Sequence, residues 1–136
     1  MKLITKNSDY AIRAMLALAN SKKCFLSARQ ISKEQNVPYQ FLRVILRKLI
    51  RNNMVFSREG INGGFKINVD PKKVSITDII KIFQGNVQLS ECMFRRRLCV
   101  NRARCILRKE IRRVEQVVEK EFRGITLGRL VRNQKQ

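Results

Sequence analysis

With 136 residues, 30 Lys and Arg against 10 Asp and Glu, and 44% hydrophobic residues, the chain has the length of one compact domain and enough apolar side chains for a core. A formal charge of +20 does not specify a fold, but it draws polyanions from solution, which makes nucleic acid the leading partner and an anionic membrane surface the second. The absence of histidine removes the commonest general base and every Cys-His or Ser-His-Asp arrangement, so enzyme readings start low.

The first segment, MKLITKNSDYAIRAMLALAN, would pass for a signal peptide if Asp9 and Arg13 did not interrupt its apolar run. No uninterrupted apolar run reaches the roughly eighteen residues that span a bilayer. A cytoplasmic protein without a membrane partner is expected. Ser8 is read as the N-cap of a helix from Asp9 to about Asn20, and Tyr10, Ile12, Met15, Leu16 and Leu18 go most of the way round it, as in a largely buried helix. A short helix follows over Ala28–Gln35 with Ser27 as its N-cap. NVP then marks a turn, with Pro38 suited to the first position of the next helix.

That helix is PYQFLRVILRKLIRN. At about 100° per residue, Phe41, Leu42, Ile45, Leu46 and Leu49 share an inner face, while Gln40, Arg43, Val44, Arg47 and Arg51 lie outside. In VFSREGINGGFKINV, Phe65, Ile67 and Val69 alternate with Lys66 and Asn68 around the turn residues INGG, the pattern of a hairpin. Helix, turn, basic amphipathic helix and hairpin, in that order, predict a mainly α winged helix-turn-helix with a small β wing.

A basic helix face taken alone is as consistent with plain solvation; the order of elements favours DNA. In this motif the second helix enters the major groove by its N-terminal half, where Tyr39, Gln40 and Arg43 meet base edges. Gln pairs with adenine, Arg with guanine, and Val44 suits a thymine methyl. Arg47, Arg51, Arg58 and Asn62 are placed for phosphates, which position without specifying sequence. Ser27, at the start of the preceding helix, and Gly63, in the wing turn, complete the candidate DNA-binding set. The wing glycines serve a tight turn whether or not they touch DNA.

Beyond the hairpin, SITDIIKIFQG carries capping-box spacing at Ser75 and Asp78 and a stop at Gly85. Further on, ILRKEIRRVEQVVEKEF places Leu107, Ile111, Val114, Val118 and Phe122 at alternating spacings of four and three, which suits packing along another helix. A homodimer is expected, since DNA readers of this type commonly pair over two half-sites. Residues 1–84 are read as the DNA-binding region, and 85–136 as a cysteine loop with a dimerisation helix.

Between these helices stands ECMFRRRLCVNRARC. Cys92, Cys99 and Cys105 form C-x6-C-x5-C, too wide for the paired knuckles of structural zinc sites. In a reducing compartment, clustered cysteines serve metals or redox chemistry more often than disulfides. Thiolates can be delivered to an iron–sulfur cluster by a loop at varied spacing, and seven Lys and Arg residues between Cys92 and Glu110 offset negative charge there. Spacing alone leaves an iron–sulfur cluster, a thiol switch, zinc and no ligand all open.

The start MKLITKNSDYAIRAMLALA, the run ISKEQNVPYQFLRVILRKLIRNNMV with S-x-x-G-x-x-GGF after it, SITDIIKIFQG, the three cysteines and ITLGRLV together resemble the Rrf-two family of bacterial winged-helix transcription regulators, the IscR/NsrR/RirA-like group. The resemblance spans nearly the whole chain. It implies a homodimeric regulator that binds a double-stranded DNA operator, takes no small-molecule substrate, and responds to an iron–sulfur cluster on Cys92, Cys99 and Cys105, with [4Fe–4S] favoured over [2Fe–2S]. One branch of the family carries a histidine three residues after the third cysteine, where this chain has Arg108. Another uses an aspartate in the first helix of the partner subunit, and Asp9 falls at that position; by itself Asp9 is equally a carboxylate favoured by a helix N-terminus. Many members have a basic residue just before the first wing glycine, where this chain has Glu59 beside Arg58. Cys24 lies outside the motif and is read as a core or loop thiol. A small basic RNA-binding protein is the competing class.

Overall fold

The structure, a computed structural model, describes residues 3–89, 93–94, 97–98 and 103–134. Its elements run α1 (Lys6–Asn20), α2 (Ala28–Gln35), α3 (Tyr39–Arg51), β1 (Val55–Arg58), β2 (Gly64–Ile67), α4 (Ile76–Gln84), β3 (Met93–Phe94), β4 (Arg97–Leu98), α5 (Ile106–Arg123) and α6 (Leu127–Gln134). The fold is mainly helical with an antiparallel β1–β2 wing, as the periodicities predict.

α1 begins three residues earlier than expected. Its cap is Thr5, whose hydroxyl oxygen accepts the Ser8 N–H at 3.3 Å. Ser8 is buried instead, and its hydroxyl donates to Gln84 Oε1 at 2.7 Å. The same oxygen accepts the Thr5 N–H, and Gln84 Nε2 donates to the Leu3 carbonyl. The end of α4 therefore holds the start of α1, satisfying backbone groups that a helix terminus leaves without intrahelical partners.

α2 carries the reciprocal Ser27–Gln30 capping box and ends on Asn36 in the left-handed conformation at φ 54°. Pro38 is the N-cap of α3, one position before the place predicted for it. Leu42, Ile45, Leu46 and Leu49 of α3 are buried with Met15 and Leu18 of α1, Ile31 of α2 and Ile79 of α4 in one core. Phe41 departs from this face and is 54% exposed. It lies at the margin of the apolar arc, and its ring is tilted against that of Tyr10, with 6.4 Å between centroids.

In the wing, Val55, Phe56, Ser57 and Arg58 pair with Ile67, Lys66, Phe65 and Gly64. Leu26 adds a third edge: its N–H donates to the Phe65 carbonyl at 3.0 Å, and Phe65 N–H donates back at 2.7 Å. This close approach requires glycine at Gly64, where φ is 139° and a side-chain carbon would overlap the Leu26 carbonyl oxygen.

The Ser75–Asp78 capping box starts α4 as predicted, and Gly85 closes it at φ 78°. The chain returns along α4: Ile76 N–H donates to the Ile125 carbonyl, Lys81 pairs with Glu119 at 3.5 Å, and Leu89 N–H donates to Glu115 Oε1 at 2.8 Å. α5 therefore runs antiparallel to α4. The helix α6 has no counterpart among the predicted elements. It brings Leu127, fully buried, into the core beside α1, anchored by Leu127 N–H to the Val74 carbonyl. No described helix is long and apolar enough to cross a membrane.

Candidate DNA interface and cysteine segment

The outer surface of α3 is built by exclusion. Once the four leucine and isoleucine positions enter the core, Gln40, Arg43, Val44, Arg47 and Arg51 are all left exposed, Val44 to 62%. Burying none of them costs the core nothing, and together they present an amide, three guanidinium groups and a methyl surface along one helix. Tyr39 is half-buried at the first position, with the Arg29 guanidinium 4.6 Å from its ring centroid and that of Arg43 at 5.8 Å. The aromatic face steers both cations. Arg29 is not among the predicted site residues: it is exposed at the second position of α2, and only the fold brings it to Tyr39.

The other predicted positions distribute as follows. Ser27 is held in its capping box, its hydroxyl accepting the Gln30 N–H at 3.1 Å. Arg58 and Asn62 are exposed on the wing, and Arg58 Nη2 donates to the Asn62 carbonyl at 3.1 Å. Gly63 stands where a side-chain carbon would overlap the Arg58 carbonyl oxygen. Sequence reasoning also missed Phe25 in this region, whose ring lies 4.3 Å under the Arg58 guanidinium.

Of the three motif cysteines, Cys92 and Cys99 lie outside the described residues. Cys105 is the N-cap of α5, half-buried, with Sγ accepting the Arg108 N–H at 3.4 Å. A sulfur there meets the positive end of the helix dipole, a setting suited to a thiolate ligand, so the donor that the structure describes fits an iron–sulfur cluster. Among the described residues no group of three metal-ligating side chains comes together. Cys24 is an exposed free thiol on the loop after α1.

Asp9 sits in the first turn of α1, paired with Arg13 at 3.0 Å while both side chains are about half exposed. Such an exposed i,i+4 pair is worth only about 0.3–0.5 kcal/mol, little enough for Asp9 to exchange Arg13 for a stronger partner.

The long helix α5 buries none of its 18 residues. Ile106 and Leu107 are 79% and 66% exposed, and Val114 and Val117 are also open, whereas Ile111, Val118 and Phe122 of the predicted stripe are half-buried, so among the described residues the stripe is only partly covered.

Known proteins agree with this architecture. The family described as "Rrf2: Iron-dependent Transcriptional regulator" matches residues 4–133. The NsrR regulator of Shouchella clausii is 27% identical over 107 residues, 77% of this chain and 72% of its own. The IscR regulator of Klebsiella pneumoniae is 26% identical over 132 residues, 96% of this chain and 80% of its own. The solved structure of CymR, the global cysteine regulator of B. subtilis, superposes with a TM-score of 0.77 at 21% identity, covering 98% of both chains. The chain thus belongs to the Rrf2 family of DNA-binding transcriptional regulators and is not an enzyme.

Proposed function

We propose that the protein is a homodimeric, cytoplasmic regulator whose operator binding is switched by an iron–sulfur cluster on Cys92, Cys99 and Cys105. The observation that carries this reading is the position of Cys105: the third cysteine of the motif is also the N-cap of the helix on which Leu107, Val114 and Val117 are exposed. Residues 1–84 would read DNA, and 85–136 would bear the cysteine loop and the dimer helix. The likeness to IscR and NsrR regulators supports the cluster.

A bound cluster would supply chemistry that changes with iron supply, nitric oxide or oxidant. Cys105 holds its sulfur at the head of α5 and hence ties the loop to the dimer helix. Asp9 of one subunit is the candidate fourth ligand for the other. Gln40, Arg43 and Val44 meet base edges, whereas Arg47 and Arg51 neutralise phosphates. A second reading is a cluster-free thiol switch on the same cysteines, which their spacing and basic surroundings also allow.

The division of labour along α3 is tested by binding to a duplex that the protein itself enriches from a random-sequence pool. Arg43→Ala is expected to weaken that duplex roughly 5- to 150-fold and unrelated DNA far less, as loss of a base contact does. Arg47→Ala is expected to weaken both alike and to lower the salt slope by about 1. Equal binding of any RNA and the enriched duplex would instead favour a general RNA binder.

A further inference from the structure

The wing carries an aromatic and basic cluster on its outward face. Alternation along β1 and β2 sends Val55 inward and puts Phe56, Arg58 and Lys66 on the opposite side. Leu26, bridged to Phe65, is buried, so its neighbour Phe25 projects to the same outward side as Arg58. The contacts agree. The Phe25 and Phe56 rings meet edge to face with centroids 5.6 Å apart and planes at 89°. Lys66 Nζ lies 5.9 Å over Phe56, and the Arg58 guanidinium lies 4.3 Å over Phe25. Gly64, paired with Arg58, has no side chain to stand between Arg58 and the loop that carries Phe25.

We propose that Phe25 is a positioning residue for DNA binding: its ring, buttressed by Phe56, fixes the Arg58 guanidinium at one place on the wing relative to α3. This rests on the reading of the wing as a DNA contact. A ring under the guanidinium covers its face and leaves its edge, where the N–H donors lie, available to phosphate oxygens. One of five donors is used on the Asn62 carbonyl, which fixes the rotation of the group. An arginine on a flexible stem would otherwise give up rotamer freedom on binding, at a cost that a prior stack removes. The loop between α1 and α2 thereby becomes part of the reading surface: Leu26 holds the wing by backbone bonds, and Phe25 aims its cation.

The test uses the full chain and the enriched duplex, with Phe25→Leu, Phe25→Tyr and Arg58→Ala singly and Phe25→Leu combined with Arg58→Ala. Phe25→Leu keeps apolar volume and loses the π face. It is expected to weaken binding about 2- to 5-fold, the fold-change that ~0.5–1 kcal/mol of cation–π attraction produces. Phe25→Tyr should bind as the natural chain does, and Phe25→Leu should have no further effect once Arg58 is Ala. A merely structural Phe25 would weaken binding equally in both backgrounds, and that result overturns the proposal. If Arg58→Ala lowers affinity and salt slope while Phe25→Leu is silent, the positioning role falls and the wing contact stands. If Arg58→Ala changes neither, both fall.

Discussion

Replacement of Cys92, Cys99 or Cys105 by Ala is expected to abolish iron and sulfide binding in anaerobically purified protein, while Cys24→Ala retains both. The expected loss is complete because the chain contains no histidine to replace a missing thiolate. Cys24 is an exposed thiol on the loop after α1 and lies outside the motif, whereas Cys105 caps α5. Asp9→Ala should leave the iron content measurable but shorten its lifetime in chelator, since the pair that holds Asp9 among the described residues is the exposed one with Arg13. Iron retained by Cys99→Ala, or lost from Cys24→Ala, would show that the ligands are assigned wrongly. Iron-free protein with intact thiols in every preparation would favour the thiol switch.

The second large effect is expected from α5. The combined change Val114→Glu and Val117→Glu should give a monomer in sedimentation with unchanged helical circular dichroism. Both valines are exposed in the single chain, at 39% and 52%, so the folded monomer loses little; surface changes of this sort stay within about 0.5 kcal/mol. In a helix-to-helix dimer the same carboxylates would be buried without partners, which is strongly unfavourable. Loss of the dimer separates two half-site contacts that otherwise bind as one event, and linking two sites raises affinity by roughly 100- to 10,000-fold. Operator affinity should fall by a factor in that range. A variant that remains dimeric would place the subunit interface elsewhere.

What was legible in the sequence was local. Ser27 declares its helix as an N-cap residue, and Ser75 with Asp78 does so because cap and partner are three residues apart; the Gln30 half of the first box shows only in the structure. The inner and outer faces of α3 follow from its period alone, with Phe41 as the exception: it stands at the edge of the apolar arc, where packing by the neighbouring helices rather than the period decides what is covered. The cap of α1 could not be chosen from the sequence, since Thr5 and Ser8 are both competent. Ser8 is drawn inward by Gln84, 76 residues away. For the same reason α6 was missed, because an eight-residue helix declares itself through Leu127 entering a core made by distant elements. In the candidate site, the α3 row was readable from spacing, whereas Arg29 on Tyr39 and Phe25 under Arg58 are contacts between elements that no local period encodes.

The cysteine loop lies in sequence between α4, which holds the start of α1 through Gln84, and α5, which carries the exposed Leu107, Val114 and Val117. Occupation of Cys92, Cys99 and Cys105 would therefore bias the angle between the two copies of α3, and with it the half-site spacing. Such a bias is limited to the difference in stability between the two arrangements, typically ~1–3 kcal/mol for coupled sites. The most direct measurement is the affinity of anaerobic iron-loaded and iron-free protein for the enriched duplex at one salt concentration, with unrelated DNA alongside. A difference of roughly 5- to 150-fold on the enriched duplex, with little change on unrelated DNA, is the expected result; equal affinity of the two forms would contradict a cluster switch and leave a basic winged-helix DNA binder.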